Sequence, residues 1–221
     1  MLEERSTKQI RSVELINGKE REIDFYRTYL DNIAQGKSIS SEIFSNRGKA
    51  HASILMATLL ANTESSLKLY CRGLTPGILC GKREGDGTGF EGAYWVEFKR
   101  FFEETIKPDT FKDNSIQILL QEKTYLNNQP ILKIQNALSD DATKNKIKIK
   151  IISSESKENI EKCLGNQNNE NYNFAIFDNK AFRLEYNPDN YQAIASFNNP
   201  SWCIILTKLF DSAFSNATEI E

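Results

Sequence analysis

Histidine is almost missing from this sequence: His51 is the only one in 221 residues. Cysteine is sparse as well. Cys71, Cys80, Cys163 and Cys203 include no C-x-x-C pair and have no histidine beside them, so the spacing of a zinc site is absent. The expectation is a reduced, cytoplasmic protein with incidental cysteines. No apolar run approaches the roughly 18–20 residues of a membrane span. The opening Met-Leu-Glu-Glu-Arg-Ser lacks the apolar core of a signal peptide, so none is expected. Neither sign of charge is in excess. With a net charge of −2 and a pI near 5.7, the chain does not suit a protein that holds nucleic acid mainly by neutralising phosphates, although a local basic patch remains open. No internal repeat is visible, and no cofactor is implied. The nearest phosphate-loop fragment, Gly77 to Arg83, has three residues between its glycines where four are needed, and Arg83 where the magnesium-binding hydroxyl belongs.

What is present is ordinary globular material, 39% hydrophobic, enough for one sizeable core. Residues 1–45 read as an accessory segment. A turn dipeptide at Asn17-Gly18 allows a hairpin, and Ile23, Tyr26, Leu30 and Ile33 fall at helical spacing before Gly36. That helix needs either the main core or a second copy of the chain to lie against. Residues 46–221 read as one α/β domain. It opens with a heavily apolar helix over about 47–61 that carries His51 and continues into a core strand at Leu67–Cys71. Glycines crowd Gly73 to Gly92, which marks a surface loop. Tyr94, Trp95, Phe98, Phe101 and Phe102 form a helical stripe that reads as core packing. A strand follows at 115–121. Pro130 then starts a helix whose apolar side is Ile131, Ile134 and Leu138.

Ile147, Ile149 and Ile151 alternate with Lys144, Lys146, Lys148 and Lys150, giving a strand with one buried face and one row of ammonium groups. A solvated face or a lysine-guarded edge explains that row better than nucleic-acid contact. A short helix over 159–163, three strands (171–178, 181–186 and 192–197) and a last helix complete the order. Asn199 suits the N-cap of that helix and Pro200 its first turn. Its stripe runs Trp202, Ile205, Leu206, Leu209, Phe210, Ala213 and Phe214. Helices alternating with strands predict a mixed β-sheet covered by helices.

The strand at 171–178 carries polar residues spaced N-x-N-x(4)-D: Asn171, Asn173 and Asp178, followed by a turn. This resembles the H-x-K-x(4)-D signature of the phospholipase D superfamily, with asparagine at both reactive positions. Ala181-Phe-Arg-Leu-Glu185 resembles the strand after the motif in degenerate members. Phe197-Asn-Asn-Pro200 leading to Leu206, Leu209, Phe210 and Asp211 resembles the closing strand and helix. The resemblance covers about Asn46 to Ala217. It implies a phospholipase D-like half-unit with an N-terminal helical extension, which single-motif members pair as a homodimer with motifs facing.

In active members the motif histidine attacks phosphorus, a second motif's histidine protonates the leaving group, and the lysine stabilises phosphoryl charge. Asn171 and Asn173 can exchange hydrogen bonds on one strand face, yet they offer no nucleophile, no proton acid near neutral pH and no positive charge. The resemblance therefore implies a catalytically inactive protein that acts as a binding or assembly subunit. Its partner would be another protein subunit, or a nucleic-acid or nucleotide phosphate in a relic cleft, and a place in a bacterial multi-gene system is one setting. Asn171, Asn173, Asp178, Arg183 and Glu185 are the candidate cleft residues. Arg183 is the best anion ligand among them, unless it forms a structural ion pair with Glu185. The alternative is a phosphodiesterase or nuclease with rearranged catalytic groups, which requires His51 to reach the same pocket.

Overall fold

A computed structural model describes residues 28–34, 43–46, 48–74, 93–107, 109–123, 134, 136, 139–165 and 171–220. The expected hairpin at Asn17-Gly18, the start of the first helix, most of the glycine-rich loop and the Pro130 turn lie outside these residues.

Among the described residues eight strands form one sheet in the order β1-β7-β6-β5-β2-β3-β4-β8. They are β1 (Phe44–Asn46), β2 (Leu67–Cys71), β3 (Ile116–Leu120), β4 (Ile147–Ile151), β5 (Asn173–Phe177), β6 (Ala181–Asn187), β7 (Gln192–Ser196) and β8 (Thr218–Glu219). Only β2, β3 and β4 run parallel to one another, and every other neighbouring pair is antiparallel. The helix-covered mixed α/β sheet expected from the sequence is thus present. The two short outer strands carried too few residues for their alternation to register.

Strand alternation sorts side chains onto two faces. On one face Leu67, Leu69, Cys71, Ile116, Ile118, Ala175 and Phe177 share a core with α1 (28–34), α2 (Lys49–Ala61) and α3 (Ala93–Arg100). Leu30 and Ile33 of α1 are buried in this same core, so the first helix leans on the domain itself. Residues 52–60 of α2 are buried without interruption, as a helix apolar on all sides must be. The aromatic stripe of α3 is core. Trp95 stacks on Phe98 at 5.9 Å, Phe98 meets Phe102 at 4.8 Å, and Phe101 meets Phe111 edge-on at 5.6 Å. Its continuation, Phe101–Thr105, is wound as a π-helix.

On the other face Tyr70, Leu119, Phe174, Ile176, Phe182 and Leu184 pack against α4 (Ser154–Cys163) and α5 (Pro200–Ser215). α4 starts five residues before the expected position, because Ser153 accepts from the Ser156 amide and caps it. Asn199 caps α5 through the Trp202 amide, as its sequence predicts. One member of the α5 stripe departs from expectation: Ile205 is 51% exposed. The wide stripe read from spacing exceeds the face that the sheet can cover, and Ile205 falls at its margin. The lysine row of β4 is only partly solvated. Lys150 lies over the Phe214 ring at 5.0 Å, and Lys146 donates to the carbonyls of Ile106 and Lys107 at the end of the π-turn.

Candidate functional site

β5 begins at Asn173, two residues later than the apolar run implied. This shift separates the two motif asparagines. Asn171 lies ahead of the strand, where its side-chain Oδ1 accepts from Lys157 Nζ of α4 at 2.7 Å. Asn173 lies on the α2–α3 face and lines a cavity of about 60 Å³ with Arg183, Glu185, Cys71, Tyr94 and Met56. The shared face expected for the pair is therefore not kept. Period-two alternation holds only inside a strand, and Asn171 is outside it.

Around Asn173 the polar groups close on one another. Its amide nitrogen donates to Glu185 Oε2 at 2.7 Å, and its Oδ1 accepts from the Arg72 backbone N–H at 2.9 Å. Gln121 Nε2 approaches the same oxygen at 3.4 Å and donates to the Tyr172 carbonyl at 2.7 Å. The second Glu185 oxygen takes a 2.8 Å hydrogen bond from Arg183. Side chains of both ion-pair members are under 10% exposed, at 9% and 4%. Register explains the cluster: Asn173 pairs with Glu185 across β5 and β6, and Arg183 stands two residues along the same face. The structural ion pair weighed from the sequence is thus the arrangement present. The guanidinium is turned toward a carboxylate inside the protein.

The cavity holds two groups with latent nucleophilic character, and both are held protonated. Burial, with a further push from the Glu185 carboxylate, raises the Cys71 thiol to about 12. Burial likewise raises the Tyr94 phenol. Cys71 was not singled out in the sequence as a site residue. Its place at the inward end of β2, two residues from Leu69, is the signal that would have found it. His51 sits on α2, partly buried, while its neighbours Ala52 and Met56 line the cavity and it does not.

Asp178 belongs to neither cavity nor cleft. Its carboxylate accepts from the backbone N–H groups of Glu64, Ser65 and Ser66 at 2.8–2.9 Å and from the Ser65 hydroxyl at 2.9 Å. It pins the α2–β2 connection onto the β5–β6 turn, where Asp178 and Asn179 both have left-handed φ, 51° and 54°. The five candidate residues thus divide. Asn173, Arg183 and Glu185 converge, Asn171 faces α4, and Asp178 ties down a loop. Among the described residues no three His, Cys, Asp or Glu side chains are grouped as a metal site would need.

No family model matches the chain, and no curated protein matches it. Solved structures do. The chain is similar to Nuc from Salmonella typhimurium, a phospholipase D family member. Identity is 13%, coverage is 81% of this chain and 99% of that one, and the TM-score is 0.48. It is also similar to NucT from Helicobacter pylori, at 11% identity, 81% and 100% coverage and a TM-score of 0.49. A third likeness is to TrmBL2, an archaeal chromatin protein with a novel mode of DNA binding. There identity is 15%, coverage 91% of this chain and the TM-score 0.45, and the chain spans 63% of that protein's length. At these identities the likeness concerns the fold and does not reach the motif residues or their chemistry. Among the described residues no helix is long and apolar enough to cross a membrane.

Proposed function

We propose that this protein is a catalytically inactive, phospholipase D-like module that works by binding or assembly. One observation carries the reading: Asn173, Arg183 and Glu185 bind one another. Arg183 is paired with Glu185, Glu185 accepts from Asn173 and Arg183 through its two oxygens, and burial pushes the thiol of Cys71, which lines the same cavity, up to about 12. Among the described residues a phosphodiester entering such a site would meet neither an attacking group nor a free positive charge, and a cavity of about 60 Å³ has room for a few water molecules only. The module's contacts therefore belong to its outer surfaces, with a second copy of the chain, another protein subunit or nucleic acid as the partner classes.

The test is a turnover assay with purified protein on an activated phosphodiester and on single- and double-stranded DNA and RNA, beside the His51→Ala variant. No cleavage by either protein is expected. Cleavage that disappears in His51→Ala would establish the hydrolase instead. Light scattering on the same sample reads the mass, and a dimer is expected.

A further inference from the structure

A second recess lies at the other end of β2 and on the other face of the sheet, between the starts of β2 and β3 and the last turn of α5. It measures about 480 Å³, within the range of small-molecule sites and far larger than the cavity at Asn173. Lys68 and Gln117 stand side by side in its floor, in register across β2 and β3. Ser115 is two residues before Gln117, on the same face of that strand. Asp211 of α5 closes one wall and is paired with the Lys68 ammonium. The exposed amides of Asn114 and Asn179 stand at the rim.

Of the five buried side-chain polar atoms without a hydrogen-bond partner among the described residues, two belong to this floor: Ser115 Oγ and Gln117 Oε1. Protein interiors rarely leave such atoms unpaired, and two neighbours doing so need a cause. Both residues are only partly buried, and both line the recess.

We propose that this recess is a binding site for a small, neutral, hydroxyl-rich molecule, a free saccharide or the ribose of a nucleoside. Charge selects this class. Among the described residues of the lining, the one ammonium and the one carboxylate neutralise each other, so an anion would meet Asp211 and a cation would meet Lys68. Hydrogen-bonding capacity selects it further. An amide and a hydroxyl, whichever way each is turned, want partners that both donate and accept, and an alcohol does both. Phe214, itself buried, is the apolar member of the lining. The proposal does not depend on the reading of the Asn173 cluster.

The experiment is a ¹H–¹⁵N titration of the full chain with D-glucose and, separately, with uridine. Shifts confined to the amides around 66–68, 115–117 and 211–215 are expected with at least one of them. A response to glucose alone assigns a saccharide, and one to uridine alone a nucleoside. Gln117→Leu should weaken the response by about tenfold, the worth of one good hydrogen bond, and should also raise Tm because it removes an unpaired buried atom. Absence of shifts with both compounds overturns the proposal, as do shifts at other amides or shifts that survive Gln117→Leu. A lowered Tm with an unchanged response makes Gln117 a structural residue and overturns it too.

Discussion

The two ends of β2 treat their polar groups in opposite ways. At the outgoing end Asn173, Glu185, Arg183 and the Arg72 amide bind one another, and the space left is about 60 Å³. At the incoming end Ser115 and Gln117 keep unpaired atoms beside a recess of about 480 Å³. Asn173 of the motif sits at the closed end, while its Asp178 binds the chain at the other end, near the open recess. A motif's location and a molecule's binding capacity are separate properties, and hydrogen-bond accounting, more than motif spacing, tells them apart. The accounting has an exception: Gln121 Oε1, at the margin of the motif cluster, is also unpaired.

The sharpest way to break this contrast is to open the closed end. Arg183→Met strands Glu185 as a buried, half-paired carboxylate and should destabilise by about 3–5 kcal/mol in urea unfolding. Adding Glu185→Leu should return most of that loss, because a buried pair replaced by apolar groups costs little. If the single variant lost under about 1 kcal/mol, the cluster would be solvated and the contrast would fail. Asp178→Ala removes a carboxylate that accepts three backbone amides and a hydroxyl, and should cost about 2–3 kcal/mol by the same measurement.

Smaller and opposite in sign, Gln117→Leu at the open end should stabilise by about 1 kcal/mol, whereas Asn173→Leu should destabilise by about 1–3 kcal/mol. Two losses of equal size would erase the distinction between the ends. The least perturbing test is chemical. Alkylation mapped by mass spectrometry at pH 8 should label the exposed Cys163 and leave Cys71 and Cys203 unmodified until the chain unfolds. Cys71 also has a pH signature. Its thiol has an ordinary value of 9.0 and is pushed up to about 12 in the folded chain. The folded state therefore keeps a proton that the unfolded state releases. The associated stability is whole below pH 9 and is lost as pH rises toward 12. Cys71→Ala should flatten that decline.

Periodicity made most of the fold legible. Leu67–Cys71 has the bounds read from the sequence, and the Asn199-Pro200 start of α5 is where cap chemistry put it. What escaped was set by partners distant in sequence. β1 and β8 are short strands held by β7 and β4, and nothing in Phe44–Asn46 or Thr218–Glu219 alone specifies a strand. At the site, the Arg183–Glu185 pair was readable because its members share a strand face. The split between Asn171 and Asn173 was not, since it depends on Lys157 reaching in from α4. The recess at Gln117 was invisible for the same reason, being assembled from β2, β3, the β5–β6 turn and α5.

The bonds from Asp178 to the α2–β2 connection span up to 114 residues of chain. β5, β6 and β7 can zip through local hairpins, but docking this meander on β2 closes a long loop, an entropic cost paid before the contacts reward it. The amides of Glu64, Ser65 and Ser66 are therefore protected only once the sheet's two halves have joined. Their hydrogen exchange reports on that joining, and Asp178 is the latch that holds it.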